Sequence, residues 1–434
     1  MKFSCNYRKD EAAVSCSKRA TNVRALVFNR TNNRANANGN RNMDNNNARL
    51  VEIVRAAGHA MDEMYAKICS YENLFNAYIK ARKGKTQKHY VLEFEKNLKE
   101  NLLHLRTELL FHSYRPQPLK IFIVRDPKTR KISKSEFRDR IVHHALCNIL
   151  EPIYEQIFIH DTFANRKGKG SLAAIERFDL FKRKVAHYTT NNRIVSGYCL
   201  KADIRQYFET VDHEVLIRIL KQKVSKETLF LIKCIISNYT GKHADRGMPL
   251  GNLTSQFFAN VYLNELDQFV KHNLKVKCYI RYVDDFVILH QTKAVLETYL
   301  QEINLFLKRL NITLHPKKSR IIPLGHGIDF LGFRIFYHHK LLRKYNLHRF
   351  KRKPMALKKQ FDSQEISYDD VYNQMLGSCA YARHADMHKL IIKTAQKYDE
   401  QFSNQIPTFE IDRWLKKHDN RLKPYRKIII NIKP

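Results

Sequence analysis

The residues best suited to chemistry are two adjacent aspartates, Asp284 and Asp285, which follow Tyr282 and Val283. They interrupt two apolar runs within residues 277–289, and this pattern predicts a hairpin with both carboxylates near its tip. Adjacent carboxylates in an apolar setting are costly unless a cation offsets their charge. Because Asp is common in turns, an acidic turn that faces solvent is the alternative interpretation.

A third carboxylate favours the cation-binding interpretation. Asp203 ends the apolar run from Tyr198 to Ala202. A strand-end Asp beside a hairpin-tip Asp pair supplies three hard oxygen ligands, which is enough for two Mg²⁺ ions because Mg²⁺ keeps several waters. Two such ions activate a hydroxyl group and steady a leaving pyrophosphate during phosphoryl transfer. The alternative for Asp203 is a helix N-cap or a turn residue.

The composition indicates a polyanionic partner. The 434 residues include 78 Lys and Arg against 42 Asp and Glu, a formal net charge of +36. Self-repulsion of this size disfavours the compact state, and bound nucleic acid would relieve it. The alternative is a solvated basic surface without a specific partner.

The spacing of the cysteines and the lengths of the apolar runs predict the cellular compartment. Eight cysteines without a CxxC pair are typical of reduced thiols. There is no apolar signal-peptide region and no apolar run of about 18 residues. We therefore expect a cytoplasmic protein that does not enter a membrane.

Hydrophobic periodicity predicts the elements that position the carboxylates. A strand covers Cys199–Ile204, and a helix begins near Asp212, which suits an N-cap. Further helices are expected over 89–111, 138–150, 254–270 and 296–310, and strands over 119–124 and 328–336. The helix from 138 should stop before Pro152.

Four segments of the sequence share one family pattern: Asp203–Phe208, Gly251–Gln256, Tyr282–Asp285 and Phe330–Gly332. Their order and spacing are those of reverse transcriptase palm motifs, and from about residue 70 to about residue 390 the chain resembles a bacterial reverse transcriptase. The resemblance implies an α+β right-hand polymerase fold, with fingers, an antiparallel palm sheet and a helical thumb. It also implies RNA-directed DNA polymerase activity with two Mg²⁺ ions, for which Mn²⁺ can substitute.

The resemblance assigns roles to individual residues near the metals. Asp203 and Asp284 would bridge the two ions, Asp285 would assist, and Ile204 is counted with the metal-binding residues. Lys318, or its neighbour Lys317, would lie near the leaving pyrophosphate as a general acid. The primer grip would comprise Phe330, Leu331 and Gly332, where Gly permits close backbone approach.

Other residues are assigned to the incoming nucleotide. Phe208 stands where the family has a steric gate against a 2′-hydroxyl, and the alternative is an ordinary core Phe. Arg138 and Arg140 match the fingers segment that grips the triphosphate, since guanidinium groups suit phosphate oxygens. The alternative for this pair is a salt-bridged helix start.

The segment around Gly251 resembles a subgroup of the family. Many reverse transcriptases have Gln before this Gly and Pro after the following Ser, whereas Leu250 and Gln256 stand there in this chain. That pattern resembles diversity-generating retroelement enzymes, which copy a template RNA and misincorporate opposite adenines. Leu250, Gly251 and Gln256 are therefore assigned to nucleotide binding. Losing the amide at 250 would loosen control of pair geometry and reduce selectivity.

The implied partners are template RNA, the RNA/DNA hybrid, dNTPs and a small basic accessory protein. Group II intron enzymes and phage-defence reverse transcriptases share part of the pattern. Two alternatives therefore remain open. One is an antiphage defence reverse transcriptase that makes cDNA or untemplated DNA, and the other is a catalytically silent RNA-binding protein.

The sequence predicts four regions. Residues 1–49 form an Asn-rich extension, with ten Asn among residues 29–47, which buries too little apolar surface to be ordered. Residues 50–195 form the fingers and N-terminal helices, 196–337 the palm, and 338–434 a basic helical thumb with a C-terminal extension.

Overall fold

The computed structural model describes residues 62–410 apart from residues 126–127, 190–193, 240, 242–244, 404 and 409. The Asn-rich extension and residues 411–434 therefore lie outside the described residues. The chain divides into two compact units. The first unit contains the residues up to Ile157 together with Phe208–Val261, and the second contains Phe158–Tyr207 and the residues from Tyr262 onward.

The described chain consists of short runs of helices and short runs of strands. The α-helices are α1 (Glu63–Ile68), α2 (Tyr71–Arg82), α3 (His89–Lys96), α4 (Leu98–Leu110), α5 (Phe137–Glu155), α6 (Ser171–Val185), α7 (Tyr207–Thr210), α8 (His213–Leu220), α9 (Lys226–Ser237), α10 (Leu253–Gln268), α11 (Lys293–Arg309), α12 (Lys344–Asp362), α13 (Tyr368–Ala382) and α14 (His388–Gln401). The strands are β1 (Lys120–Val124), β2 (Arg130–Lys134), β3 (Tyr188–Thr189), β4 (Ile194–Val195), β5 (Tyr198–Asp203), β6 (Tyr279–Tyr282), β7 (Asp285–His290), β8 (Arg320–Pro323), β9 (Ile328–Phe330), β10 (Phe333–Ile335) and β11 (Lys340–Leu342).

The first unit is mainly helical. Helices α2 and α5 pack through fully buried side chains such as Leu74 and Ile141. The buried Asn73 amide donates to the carbonyls of Ile68 and Ala145, which joins α2 to its neighbours. Strands β1 and β2 form an antiparallel ribbon.

The second unit contains the main sheet. Its strand order is β6-β7-β5-β8, and every neighbouring pair is antiparallel. A smaller sheet has the order β11-β10-β9, and β3 pairs with β4. Buried residues of both larger sheets and of α6 share one core, for example Cys199, Ile280, Phe178 and Phe330. The α+β fold class expected from the sequence is confirmed.

Several predicted elements are confirmed within one or two residues. Asp212 caps α8, because its carboxylate accepts a hydrogen bond from the Val215 amide at 3.0 Å. Helix α10 continues into a π-helical turn at Phe269–Asn273. The segment 328–336 is a hairpin of β9 and β10.

Two helix predictions are wrong in their bounds. The helix expected over 89–111 is broken at Asn97, whose φ and ψ of −128° and 52° are not helical. Asn favours helix ends, and the Asn101 amide donates to the Phe94 carbonyl at the end of α3. Helix α5 continues past Pro152 to Glu155 because Tyr154 beyond it is buried and contacts the Phe257 ring edge-on, which offsets the lost hydrogen bond.

The described cysteines are all free thiols, and most of them are buried. In the part of the chain that the structure describes, no helix combines the length and apolarity needed to cross a membrane.

Candidate active site

The register of the main sheet places two of the three predicted aspartates opposite each other. Asp203 is the last residue of β5 and pairs directly with Asp285, the first residue of β7. Residues opposite each other in an antiparallel pair have Cβ atoms about 4.5–5.5 Å apart and face the same side. Like charges in this position destabilise the sheet, and a cation between them would reverse that effect.

The third aspartate lies in the adjoining two-residue turn. Tyr282 pairs with Asp285, so Val283 and Asp284 form the tip of the β6–β7 hairpin. Val283 has a φ of +55°, which such turns usually assign to Gly, Asn or Asp. The Asp284 carbonyl accepts a hydrogen bond from the Ile204 amide at 3.2 Å. The hairpin tip is therefore tied to the residue that follows Asp203.

The electrostatics of this edge reflect the crowding of negative charge. Burial, followed by the charges of Asp285 and Asp203, raises the pKa of Asp284 to about 6. The Lys318 ammonium lies against Asp203 and donates to its two carboxylate oxygens at 3.0 and 2.9 Å. It also opposes the rise in the pKa of Asp284. The predicted Lys318 therefore lies beside Asp203.

Backbone contacts hold the Lys318 segment against β5. The His315 amide donates to the Asp203 carbonyl at 2.7 Å, and the Arg205 amide donates to the Thr313 carbonyl at 2.9 Å. Lys318 is about half exposed, whereas its partner carboxylate is largely buried. The ammonium can therefore exchange partners when another cation binds Asp203.

The donor set suits Mg²⁺ but does not form a complete cage. In the described ranges, no three His, Cys, Asp or Glu side chains converge closely enough to hold a metal ion by themselves. Mg²⁺ usually binds one or two carboxylates plus waters and substrate phosphates, so a full protein cage is not required. Lys318 already places one positive charge on Asp203. The chemistry of the three carboxylates therefore fits Mg²⁺ held jointly with a nucleotide.

A buried ion pair, which the sequence patterns did not predict, supports the hairpin. Arg281 on β6 and Asp267 on α10 have fully buried side chains that form a two-pronged pair. Although burial favours the neutral form, Asp267 holds the pKa of Arg281 above its ordinary value. The Tyr279 and Thr162 hydroxyls also donate to Asp267, at 2.7 and 2.9 Å. The available signal was a charged residue, Arg281, within the apolar strand run that precedes Asp284.

The predicted primer-grip segment is a tight turn between β9 and β10. Phe330 pairs with Phe333, and the turn residues Leu331 and Gly332 have φ values of 45° and 92°. The Gly332 carbonyl accepts from the Arg343 amide at 2.9 Å. A Cβ at Gly332 would lie 2.3 Å from the Tyr381 hydroxyl, so only Gly fits here.

In the first unit, the segment around Gly251 lies along the β1–β2 ribbon. The Ser133 amide donates to the Leu250 carbonyl at 3.0 Å. The Ser135 amide donates to the Asn252 side-chain carbonyl at 3.1 Å. Gly251 has a φ of +115°, and a Cβ there would approach Ile132 to 2.8 Å. The backbone of this predicted nucleotide-binding segment is therefore fixed by β2.

Phe208 and Gln256 occupy the same unit. Phe208 is half-buried, and its carbonyl accepts from the Met248 amide at 2.6 Å. Gln256 is half-buried in the first turns of α10. The steric-gate and nucleotide-binding roles of these residues stay predictions.

The two predicted phosphate-binding arginines contact side chains within the first unit. Arg138 forms an ion pair with Glu108 and lies 5.6 Å from the centre of the Tyr114 ring. Arg140 lies 4.8 Å from the centre of the Tyr90 ring. The ion pair of Arg138 is consistent with the salt-bridged helix start given as the alternative, whereas Arg140 contacts an aromatic ring. A role of both residues in triphosphate binding stays a prediction.

The fold and the carboxylates define a class of protein. An antiparallel sheet with one Asp at a strand end and two at the adjoining hairpin tip agrees with the right-hand polymerase fold that the resemblance implied. The family described as "Reverse transcriptase (RNA-dependent DNA polymerase)" matches residues 125–335. The chain therefore carries a reverse transcriptase domain, the catalytic domain of RNA-directed DNA polymerases.

Three curated proteins indicate the breadth of the similarity. "Protein YkfC" from Escherichia coli (strain K12) is 27% identical over 281 residues, which cover 55% of this chain and 71% of that protein. "Retron Ec73 reverse transcriptase" from Escherichia coli is 22% identical over 301 residues, covering 63% of this chain and 88% of that protein. "Group II intron-encoded protein LtrA" from Lactococcus lactis subsp. cremoris is 28% identical over 174 residues, covering 38% of this chain but only 27% of that protein.

Proposed function

We propose that this chain copies a template RNA into cDNA by two-metal phosphoryl transfer. The observation that carries the proposal is the pairing of Asp203 with Asp285, with Asp284 at the adjoining hairpin tip, inside a reverse transcriptase domain. When bound, Mg²⁺ would activate the primer hydroxyl and offset the charge of the pyrophosphate. Mn²⁺ has similar ligand preferences and can substitute.

Each residue of the site has a task in this proposal. Asp203 and Asp284 would hold the metals, Asp285 would assist, and Ile204 would contribute by fixing the Asp284 carbonyl. Lys318 would act as the general acid that donates a proton to the pyrophosphate leaving group, once a metal replaces it on Asp203. Its exposure and its single ion-pair partner within the described residues support such a change of partner.

Adenine-directed errors are the finer part of the proposal. Leu250 replaces a side chain that could donate and accept hydrogen bonds with one that can do neither. The Leu250 carbonyl is bound to β2, so the backbone is fixed while the side chain supplies no polar contact. Selectivity that depends on hydrogen bonds would fall accordingly. Reduced selectivity at this position would suit a role in targeted gene diversification.

The proposed partners follow from the same chemistry. The net charge of +36 suits template RNA and the RNA/DNA hybrid, and the three carboxylates suit dNTPs bound with metal. A small basic accessory protein is proposed from the subgroup resemblance alone. The fingers, palm and thumb bounds given above also stay proposals.

The test is cDNA synthesis by the purified chain with its co-purifying RNA, Mg²⁺ and all four dNTPs, followed by product sequencing. Asp284→Ala is the inactive control. We expect DNA that is lost in the control and that carries errors concentrated at template adenines.

Other outcomes redirect the assignment. Faithful or untemplated DNA would keep the polymerase and favour an antiphage defence role. An absence of DNA with every template and partner would favour a catalytically silent RNA-binding protein.

A further inference from the structure

The position of Asp284 is set by its two flanking peptide groups. On one side, the Val283 carbonyl accepts a hydrogen bond from Arg281 Nη1 at 3.1 Å. On the other side, the Asp284 carbonyl accepts from the Ile204 amide at 3.2 Å. Removing either contact would free one side of the turn that carries the carboxylate.

The turn needs such support because Val283 is strained. A φ of +55° is rare for any residue with a side chain and is rarest for β-branched residues such as Val. Strain of this kind persists only where surrounding contacts fix the backbone. The Arg281 hydrogen bond acts directly on the carbonyl of the strained residue.

Arg281 can supply this support because burial and hydrogen bonds hold its own side chain in place. It is fully buried, and its guanidinium binds both oxygens of Asp267. Asp267 is held in turn by the Tyr279 and Thr162 hydroxyls. The Arg281 backbone is also fixed, since its amide donates to the Asp161 carbonyl at 3.0 Å.

We propose that Arg281, locked by Asp267, is a positioning residue that holds Asp284 in its metal-binding geometry. Loss of a residue that contacts a metal ligand commonly lowers metal affinity by about 10–100-fold. The inference rests on the proposed two-metal polymerase function. It differs from a purely structural role because it predicts a change in metal binding without a loss of fold.

The test variant is the double substitution Arg281→Met/Asp267→Asn. Removing one partner alone would leave a buried unpaired charge, whereas removing both charges of a buried pair is often neutral or stabilising. The asparagine introduced at position 267 keeps an oxygen that accepts from one of the Tyr279 and Thr162 hydroxyls, and its NH2 group can donate to the other. The methionine introduced at position 281 fills space of similar length but cannot donate to the Val283 carbonyl.

A second ion pair in the same unit provides a matched control. Arg177 Nε and Nη2 donate to the two oxygens of the buried Asp161 at 2.7 and 3.3 Å. Neither side chain has a hydrogen bond to the 283–285 turn among those described. The Arg281 amide bonds the backbone carbonyl of Asp161, which side-chain substitutions keep. Arg177→Met/Asp161→Asn therefore removes a less buried ion pair without removing the contacts that hold Arg281 and Val283.

The measurements are thermal unfolding in EDTA, Mn²⁺ binding followed by electron paramagnetic resonance, and the Mg²⁺ dependence of primer extension. We expect the Arg281→Met/Asp267→Asn variant to unfold near the wild-type temperature and to bind Mn²⁺ at least about tenfold more weakly. The control variant should bind Mn²⁺ as the wild type does. Arg281→Lys, which keeps a cation but not the two-pronged geometry, should lie between the two.

Unchanged Mn²⁺ affinity in the folded double variant would overturn the proposal. Equal weakening in the control variant would do so too, because the effect would then follow from any lost ion pair. A wild-type chain that binds no Mn²⁺ would also contradict it. Failure of the proposed polymerase function can be told apart from failure of this inference. If the wild-type chain binds Mn²⁺ but makes no DNA, the proposed function fails, and the Mn²⁺ affinities of the variants still decide whether Arg281 positions Asp284.

Discussion

Replacing Asp284 by asparagine removes a carboxylate whose ionised form is disfavoured in the folded protein. The substitution keeps the size and shape of the side chain. Burial and the neighbouring carboxylates Asp285 and Asp203 raise the pKa of Asp284 to about 6, compared with about 3.9 for an unperturbed Asp. A difference of about two pKa units corresponds to about 3 kcal/mol of cost for the ionised form in the folded protein. Partial solvation of the side chain lowers this figure, so we expect about 1–3 kcal/mol.

The sign of the effect follows from proton linkage. Because the folded-state pKa is raised, the cost is fully present above about pH 6 and disappears as the pH falls toward 4. Asp284→Asn should therefore be more stable than the wild type in EDTA at about pH 8. The two proteins should converge near pH 4. At about 2–4 °C per kcal/mol, the midpoint of thermal unfolding should rise by about 2–12 °C.

The assay is thermal unfolding by circular dichroism in EDTA at both pH values, with primer extension measured in parallel. Asp399→Asn is the matched control, since that carboxylate is exposed in the same unit and should change neither property. The Asp284→Asn variant should make no DNA, and adding Mg²⁺ should stabilise it less than the wild type. An Asn variant that is less stable than the wild type at pH 8 would refute the reasoning.

Three further predictions follow from individual contacts. Leu250→Gln should lower errors at template adenines in sequenced cDNA, and an unchanged error spectrum would exclude the proposed role of Leu250. Lys318→Met should slow single-turnover extension by about 10²–10⁴-fold with little change in dNTP affinity, and a wild-type rate would exclude general-acid catalysis by Lys318. Gly332→Ala should destabilise the chain by about 1–3 kcal/mol in urea unfolding, because its Cβ would lie 2.3 Å from the Tyr381 hydroxyl. Adding Tyr381→Phe should restore part of that loss, and no recovery would place the strain elsewhere.

Local patterns predicted the elements that carry the site. Strand β5, the β6–β7 hairpin and the capped start of α8 each depend on residues close in sequence, such as the apolar run before Asp203 and the N-cap at Asp212. Hydrophobic periodicity predicted the wrong helix ends where a single residue's backbone preference or a contact distant in sequence determined where the helix stops. Asn97 breaks a periodic apolar stripe, and buried packing of Tyr154 carries α5 past Pro152.

Apart from the grouping of the three aspartates, which the family resemblance implied, the partners of the site residues could not be predicted from the sequence. The register that sets Asp203 opposite Asp285 joins residues 82 positions apart in sequence, and Lys318 reaches Asp203 from a later segment. The buried pair of Arg281 and Asp267 is likewise a product of tertiary packing. Composition and periodicity suggest which residues are unusual, but only the fold shows which of them meet.

The most direct test of the central claim is Mg²⁺-dependent extension of an oligo(dT) primer on a poly(rA) template by the purified chain. The comparison is with Asp203→Asn, with folding of both proteins checked by thermal unfolding. We predict labelled DNA from the wild type and none from a folded Asp203→Asn variant. Equal extension by both proteins would contradict the assignment of catalysis to these carboxylates, and so would its absence from the wild type.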